Sequence, residues 1–179
     1  VGFDLYMELL QETIAEIQGQ DIPTVEDTQI DLPITAFIPG DWITDPDEKI
    51  NAYRLATQCE NNDELIQFAR NLVDRYGTLP KAVESLIEVM KLKIIAKKCG
   101  FSRIKLSKPN IELETMMDEP AFKLLKKSLA SHLHGRFIYK KGDRFSTVTI
   151  RGLGVLDSEK ILDQLTEWLT IMNSEIDIQ

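Results

Sequence analysis

The hydrophobic pattern of this chain changes period at Gly100, and this change constrains the fold more than any other feature. Between residues 45 and 99 the apolar residues recur every three or four positions, which is the spacing of one helix face. After Gly100 they alternate in short runs, and each pair of runs precedes another stretch with helical spacing. The sequence therefore predicts an α+β fold, a small helical bundle followed by two strand-strand-helix units packed around one core.

Three helices are predicted between residues 45 and 99, because each has start or stop signals. Segment 45–48 (DPDE) places Asp, Pro and Glu at the spacing of a capping box, with proline in the first helical turn. Segment 61–64 (NNDE) has a second box, and the helix that it opens is expected to end at Gly77. The third helix is predicted from Pro80 to Cys99.

Two hairpins and two helices are predicted after Gly100. The turns are SKPN, between RIKL and IELETM, and KGD, between RFIYK and RFSTVTI, whose glycine makes it the stronger hairpin signal. The helices are expected at about 120–134 and 158–174. The GLGV at 152–155 lacks the remaining residues of a phosphate loop, so we interpret Asp157 as a helix cap.

The first thirty residues are predicted to lie outside the main domain. Residues 4–18 are amphipathic at helical spacing, and Gly19 and a polar stretch follow. Such a helix usually belongs to a neighbouring module, so we expect the chain to be part of a longer protein. Apolar residues alternate from Ile30 to Ile38, and Pro33 limits that segment to a sheet edge or an extended arm. The expected division is a helix of a preceding module at 1–20, a linker at 21–30, and a domain at 31–179, with edge strand and helices at 31–100 and strand-strand-helix units at 101–179.

Composition excludes several protein classes. Apolar runs do not exceed four residues and no secretory signal pattern is present, so neither a membrane span nor export is expected. The two cysteines, Cys59 and Cys99, form no CxxC and fit a reducing cytoplasm. The net charge of −8 disfavours a general nucleic-acid binder, although residues 63–151 carry 18 basic and 10 acidic side chains. This asymmetry favours directional contact with a charged partner.

No catalytic, metal or cofactor site is predicted. His132 and His134 lack further ligands at a suitable spacing for zinc. The carboxylates at 44–49 are better explained as helix caps than as divalent-metal ligands. We therefore expect a non-enzymatic module without cofactor or metal.

A run of basic residues is the candidate for phosphate contact. It comprises Lys91, Lys93, Lys97 and Lys98, and further cations follow as far as Lys108. Such a run gives salt-dependent affinity for a nucleic-acid backbone. Lysines are also favoured at the end of a helix by its dipole, and no aromatic residue is interleaved for base stacking. Both interpretations stay open, with DNA contact the less favoured.

The joint LVDRYGTLP at 72–80 carries two charges that a helix stop does not need. Gly77 explains the stop, because glycine adopts the left-handed conformation without penalty. Asp74 and Arg75 form either a partner contact or a local one. In the local alternative Arg75 interacts with free carbonyl groups of the helix end, and Asp74 pairs with Arg70 or Lys81.

Three segments in this order resemble the C-terminal end of bacterial transcription-repair coupling factors (Mfd). They are VGFDLYMELL at 1–10, DLPITAFIPGDWITD at 31–45 and LVDRYGTLP at 72–80. The resemblance covers most of residues 1–100, and beyond them it rests on the order of strands and helices alone.

The resemblance implies a regulatory role within a larger protein. In that family an ATP-dependent motor translocates on double-stranded DNA, pushes stalled RNA polymerase and recruits UvrA for nucleotide-excision repair. The C-terminal domain is not catalytic. It docks on the UvrB-like module of the same chain, covers the UvrA-binding surface and keeps the protein repressed, and residues 1–20 would be the helix that leaves the motor. Two alternatives remain, a DNA-backbone-contacting module that uses the 91–108 run and a passive scaffold packed on the motor.

The resemblance also implies which residues form the interface. In the family the acidic residues of a Glu-Leu-x-Asp-Arg pattern contact the basic surface of the UvrB-like module. Asp74 and Arg75 match that pattern, while Asn71 stands where the first glutamate would be. We therefore expect Asn71, Asp74 and Arg75 at the interface, and the lost charge implies a weaker latch. Tyr76 replaces the usual phenylalanine.

Overall fold

The computed structural model of the protein describes residues 28–177, with side chains described as far as Ser174. The predicted helix at 4–18 and the first part of the predicted linker lie outside this range. The described chain divides into two compact units, one formed by residues 33–94 and the other by residues 28–32 together with 95–177.

The first unit is helical. Its three helices are α1 (Pro46–Gln58), α2 (Asn62–Tyr76) and α3 (Lys81–Lys98). The last four residues of α3 belong to the second unit. Their buried faces follow the predicted spacing, and α2 for example buries Leu65, Phe68 and Leu72.

The helix caps are confirmed, but each of the two predicted capping boxes is wrong in one half. Asp45 accepts a hydrogen bond from the Asp47 N–H over 2.8 Å, as a cap should. Glu48, however, does not reach back to the cap residue, because its carboxylate is bonded to the end of α2. At α2 the Asn61 side chain accepts from the Glu64 N–H over 2.9 Å, but the Glu64 carboxylate accepts from the Glu60 N–H over 2.6 Å and not from the N–H of Asn61.

An extended arm precedes α1 and supplies part of the core. Ile34, Ala36 and Ile38 are buried at alternate positions, as predicted, yet the arm pairs with no strand among residues 28–177. Instead, the Phe37 N–H donates to the Ala82 carbonyl oxygen over 3.2 Å, and the Ile38 N–H donates to the Tyr53 hydroxyl over 2.8 Å. The alternation of apolar residues therefore predicted which side chains are buried, but the backbone of the arm bonds to helices and not to a strand.

The second unit is a five-stranded sheet with two helices. Its strands are β1 (Gln29–Asp31), β2 (Phe101–Ser107), β3 (Asn110–Thr115), β4 (Phe137–Lys140) and β5 (Ser146–Ile150), in the spatial order β1-β2-β3-β5-β4. β1 is parallel to β2 and the other pairs are antiparallel. Its helices are α4 (Glu119–Lys126) and α5 (Ser158–Asp177), with short 3₁₀ segments at Ser131–Arg136 and Leu153–Val155. The predicted α+β class and the twice-repeated strand-strand-helix order are confirmed.

The helix predicted at about 120–134 is shorter than expected. It ends at Lys126, and the Ser128 hydroxyl donates to the Leu125 carbonyl oxygen over 2.6 Å. Serine competes in this way for carbonyl groups that a helix would otherwise use. The chain resumes as a 3₁₀ segment at Ser131.

The edge strand β1 begins within the range predicted as a linker. Ile30 pairs with Ile104 and is 1% exposed. The Thr28 hydroxyl donates to the Phe101 carbonyl oxygen over 2.6 Å, and Asp31 forms an ion pair with Arg103. Burial, sheet pairing and charge together fix this strand to β2.

Candidate functional site

The joint at the end of α2 has the backbone form that the sequence predicts. Gly77 has a φ of +88°, in the left-handed region, and its N–H donates to the Val73 carbonyl oxygen over 2.9 Å. Asp74, Arg75 and Tyr76 are therefore the last three residues of α2.

Arg75 and Tyr76 both bind one carboxylate of α1. A guanidinium N–H of Arg75 donates to Glu48 Oε1 over 3.1 Å, and the Tyr76 hydroxyl donates to Glu48 Oε2 over 3.0 Å. The Arg75 guanidinium also lies over the Tyr76 ring, 5.3 Å from its centroid. Arg75 therefore has a local partner on α1 instead of the helix-end carbonyl groups considered from the sequence, and its place at a partner interface stays a prediction.

Trp42 also packs against the Tyr76 ring, and the two ring centroids are 5.5 Å apart. Burial raises the pKa of the Tyr76 hydroxyl, and the hydrogen bond to the Glu48 carboxylate raises it further. The neighbouring Arg75 charge acts in the opposite direction. The hydroxyl is therefore held in its protonated, donating form.

Asp74 is exposed, and it makes no hydrogen bond or ion pair with any residue of the described range 28–177. The local pairings considered from the sequence, with Arg70 or Lys81, are thus not formed there. Asn71 is also exposed, and its side-chain oxygen accepts a hydrogen bond from the Gln67 amide over 3.0 Å. Asn71 and Asp74, one helical turn apart, lie on the outer surface of α2.

A groove of about 470 Å³ lies between α2 and α3 in the first unit, and Asp74 is on its border. Ile66 and Val73 contribute apolar surface from α2 with 50% and 42% of their area exposed, and Ile87 contributes from α3. The charged side chains that complete its lining are Arg70, Asp74, Glu88 and Lys91. An exposed apolar groove with a charged border is typical of a protein-binding surface.

Sequence reasoning missed this groove because it attended to the inward stripe of α2. Ile66 and Val73 are seven positions apart and therefore share a face, next to the stripe formed by the buried residues. That i, i+7 spacing of two aliphatic residues outside the core stripe was the available signal.

The four lysines of the predicted phosphate-contact run do not form one exposed row. Lys91 lines the groove, and Lys93 is 8% exposed. Lys97 and Lys98 are exposed in the last turn of α3.

Two cations that follow the run are engaged on the sheet. Arg103 is paired with Asp31, and Lys105 lies 3.4 Å from a Glu112 carboxylate oxygen and 4.0 Å from one of Glu114. These ion pairs occupy the polar face of the sheet.

The remaining sequence candidates have structural roles in the described residues. The His134 ring nitrogen Nε2 lies 2.8 Å from the Leu129 carbonyl oxygen, and within 28–177 no three His, Cys, Asp or Glu side chains are placed to share a metal ion. The Asp157 carboxylate accepts from the Lys160 N–H over 3.0 Å, which confirms it as the cap of α5. No helix in the described range has the length and hydropathy needed to cross a bilayer.

Comparison with known proteins identifies the family. A family model described as the TRCF domain matches residues 32–123, more than half of the chain. The chain belongs to the TRCF domain family. This TRCF domain match includes the arm, α1, the whole joint with Asn71, Asp74 and Arg75, and the groove.

Relatives of this TRCF domain are named transcription-repair-coupling factors. One from Myxococcus xanthus is 38% identical over 94 residues, which is 52% of this chain. One from Bacillus subtilis (strain 168) is 30% identical over 146 residues, which is 81% of this chain. The chain spans 8% and 12% of the length of these two relatives.

A solved structure has the same fold. It is described as the crystal structure of the C-terminal domain of transcription-repair coupling factor, and it aligns with a TM-score of 0.69 at 17% identity. The alignment covers 86% of this chain and 96% of the solved one. The likeness confirms the mixed fold inferred from the sequence.

Proposed function

We propose that this TRCF domain is a non-catalytic regulatory module of a transcription-repair coupling DNA translocase. It docks on the UvrB-like module of the same chain and covers the surface that UvrA binds, so that the protein is held in a repressed state. The ATP-dependent motor, and the contacts with RNA polymerase and DNA, belong to other parts of that protein.

The observation that carries this proposal is the Asp74 carboxylate beside the α2–α3 groove, which has no hydrogen-bond or ion-pair partner among residues 28–177. A charge that only stabilised the joint would have a local partner, as Arg75 has in Glu48. Asp74 is exposed instead, next to the aliphatic side chains of Ile66 and Val73. A carboxylate beside apolar surface is suited to a partner that offers both a cation and an apolar side chain.

In this proposal, neighbouring residues in the last turn of α2 have different roles. Arg75 is held by α1 and keeps α2 in place, while Asp74 is available to the partner. Asn71 adds a neutral amide where the family pattern has a second acid, so this docking contact carries one charge fewer. A latch needs only about 1–3 kcal/mol of coupling to change UvrA access by roughly 5–150-fold.

Docking accounts for more of these features than DNA contact through residues 91–108 does. Arg103 and Lys105 already have carboxylate partners, and Lys93 is buried. A passive scaffold would need the same complementary surface, and only a functional measurement separates it from a latch.

Calorimetric titration with the separately expressed UvrB-like module of the same parent protein tests the proposal. We expect the unaltered chain to bind at low salt, and Asp74→Lys to weaken binding by about tenfold or more. Asp163→Lys, which makes the same change of charge at an exposed position of α5, is the matched control and should bind as the unaltered chain does.

Three outcomes would count against parts of this proposal. Equal binding by Asp74→Lys removes Asp74 from the interface. Absence of binding, together with strongly salt-dependent binding to duplex DNA, favours the lysine run instead. The third outcome is that the chain binds the UvrB-like module, but substitution of Asp74 in the parent protein leaves its affinity for UvrA unchanged. This result would identify a scaffold rather than a latch.

A further inference from the structure

We propose that a second docking surface lies on the other unit, in a cleft that binds a partner protein through an acidic segment bearing an aliphatic side chain. The cleft has a volume of about 420 Å³ and lies where β3 ends and β5 begins. One side is formed by Met116, Met117 and Pro120, and the other by Lys141, Arg144 and Phe145.

The strand register brings two exposed apolar side chains together. Thr115 and Ser146 form the last pair between β3 and β5, so Met116 and Phe145 leave the sheet next to each other. Met116 is 78% exposed and Phe145 is 43% exposed. Methionine and aromatic side chains are enriched at protein interfaces, and methionine adapts its shape to an incoming side chain.

The base of the cleft is already ordered. The Tyr139 hydroxyl donates to the Met117 carbonyl oxygen over 2.7 Å, and the Met117 N–H donates to Thr115 Oγ1 over 3.0 Å. The Phe122 ring stacks on Tyr139 with centroids 6.0 Å apart. Because these contacts already hold the backbone on both sides of the cleft, a partner that binds there has to order few additional groups, and the entropy cost of binding is small.

The hairpin turn that presents Phe145 requires glycine. A Cβ atom on Gly142 would lie 2.2 Å from the Phe145 carbonyl oxygen, which is a backbone atom and cannot move aside alone. The tight turn therefore fixes the position of Phe145 relative to Lys141 and Arg144.

The charges of the cleft indicate an acidic partner. Lys141 and Arg144 are exposed and form no ion pair with any residue between 28 and 177. Asp118, by contrast, accepts the Ala121 N–H over 2.9 Å as the cap of α4.

The other acidic side chain at the start of α4 is also engaged. Glu119 lies 3.8 Å from Lys123, its i+4 neighbour on the helix. The cleft thus offers two cations that are unpaired among the described residues and lie beside apolar surface, while the acids that open α4 are committed to local contacts. A segment with carboxylates on both sides of an aliphatic residue complements this arrangement.

A protein segment fits better than a nucleic-acid strand. Binding of single strands relies on several aromatic side chains along a basic groove, and only one exposed ring lines this cleft.

Nuclear magnetic resonance titration of the isotope-labelled chain tests this surface. The probe is a short synthetic peptide with a central leucine pair flanked by glutamates, and a second peptide has lysines in their place. We expect amide shifts at 116–118 and 141–146 with the acidic peptide, and affinity about tenfold lower for the lysine peptide. Phe145→Ala, and the double change Lys141→Glu with Arg144→Glu, should each weaken binding of the acidic peptide about tenfold.

Val155→Ala is the matched control. Val155 is an exposed aliphatic residue in the 3₁₀ segment that packs at the start of β3, the opposite end of that strand, and its removal should leave binding unchanged. Shifts elsewhere, equal affinity for the two peptides, or no shift at millimolar peptide would overturn the proposal. Displacement of the acidic peptide by an oligothymidylate would identify the cleft as a nucleic-acid site instead.

Discussion

Tyr76 donates a hydrogen bond from its hydroxyl to Glu48 Oε2 over 3.0 Å, and this contact ties the end of α2 to the beginning of α1. The other Glu48 oxygen accepts from Arg75, whose side chain lies over the Tyr76 ring. Arg75 and Tyr76 therefore maintain the joint, whereas the neighbouring Asp74 is exposed and has no partner in the part of the chain that the structure describes.

Replacing Glu48 with glutamine should destabilise the first unit by about 1 kcal/mol. Most of the loss is expected from the Tyr76 contact, because the Arg75–Glu48 ion pair joins side chains that are more than 40% exposed and such pairs contribute little. Urea unfolding measures the effect. Glu84→Gln, an exposed change in the first turn of α3, is the control, and an equal loss there would contradict the role of Glu48.

Replacing Tyr76 with phenylalanine should change how stability depends on alkaline pH. The pKa of Tyr76 is raised in the folded state by burial and by Glu48, so the unfolded chain loses the hydroxyl proton first. The stability that this hydroxyl contributes is therefore complete below about pH 10 and declines as the pH rises above that value. The difference in free energy of unfolding between the two proteins should therefore become smaller as the pH rises from about 9 to about 11, on either side of the ordinary tyrosine pKa. A difference that is constant across this range would rule out the titration.

Replacing Gly154 with alanine should destabilise the second unit by about 1–3 kcal/mol. A Cβ atom there would lie 2.7 Å from the Asn110 carbonyl oxygen and 2.8 Å from Leu106 Cδ1. The Gly154 N–H also donates to the Pro109 carbonyl oxygen over 3.0 Å, so the backbone cannot withdraw without losing that bond. Gly135→Ala, where no atom lies within 4 Å of the added Cβ, should stay within about 0.5 kcal/mol of the unaltered protein in thermal unfolding. Equal effects of the two changes would contradict this packing.

The two cysteines should react with a thiol reagent at very different rates. Cys99 is buried and its thiol donates to the Leu169 carbonyl oxygen over 3.2 Å, so it should react only after unfolding. Cys59 is partly exposed, and burial first, then the Glu64 charge, raise its pKa. The rate at which Cys59 reacts should therefore still increase with pH above about 9, where the reaction rate of a free cysteine levels off because its thiol is almost fully ionised. Rapid reaction of both cysteines in the native chain, or of neither, would contradict this arrangement.

Local signals in the sequence predicted most of the secondary structure. Asp45, Asn61 and Asp157 cap helices as expected, and Gly77 ends one, because caps and stops depend on residues within one turn. The repeated strand-strand-helix order was also readable, since alternation and helical spacing are local patterns.

Contacts between distant residues were not readable in the same way. The spacing of Asp45 and Glu48 fits a capping box, but Glu48 instead binds Arg75 and Tyr76, 27 and 28 positions away. Pattern alone does not reveal which of two available partners a carboxylate finds. The groove was missed for a related reason, because it exists only where two helices pack side by side.

The short strand β1 has a consequence for how the chain is made. Asp31 precedes its partner Arg103 by 72 positions, and the whole helical unit is encoded between them. At synthesis rates of about 5–20 residues per second, β1 leaves the ribosome roughly 4–14 s before β2 is available. During that interval Ile30 has no β2 to pair with, so the sheet cannot begin to form at this edge until the helical unit has been synthesised.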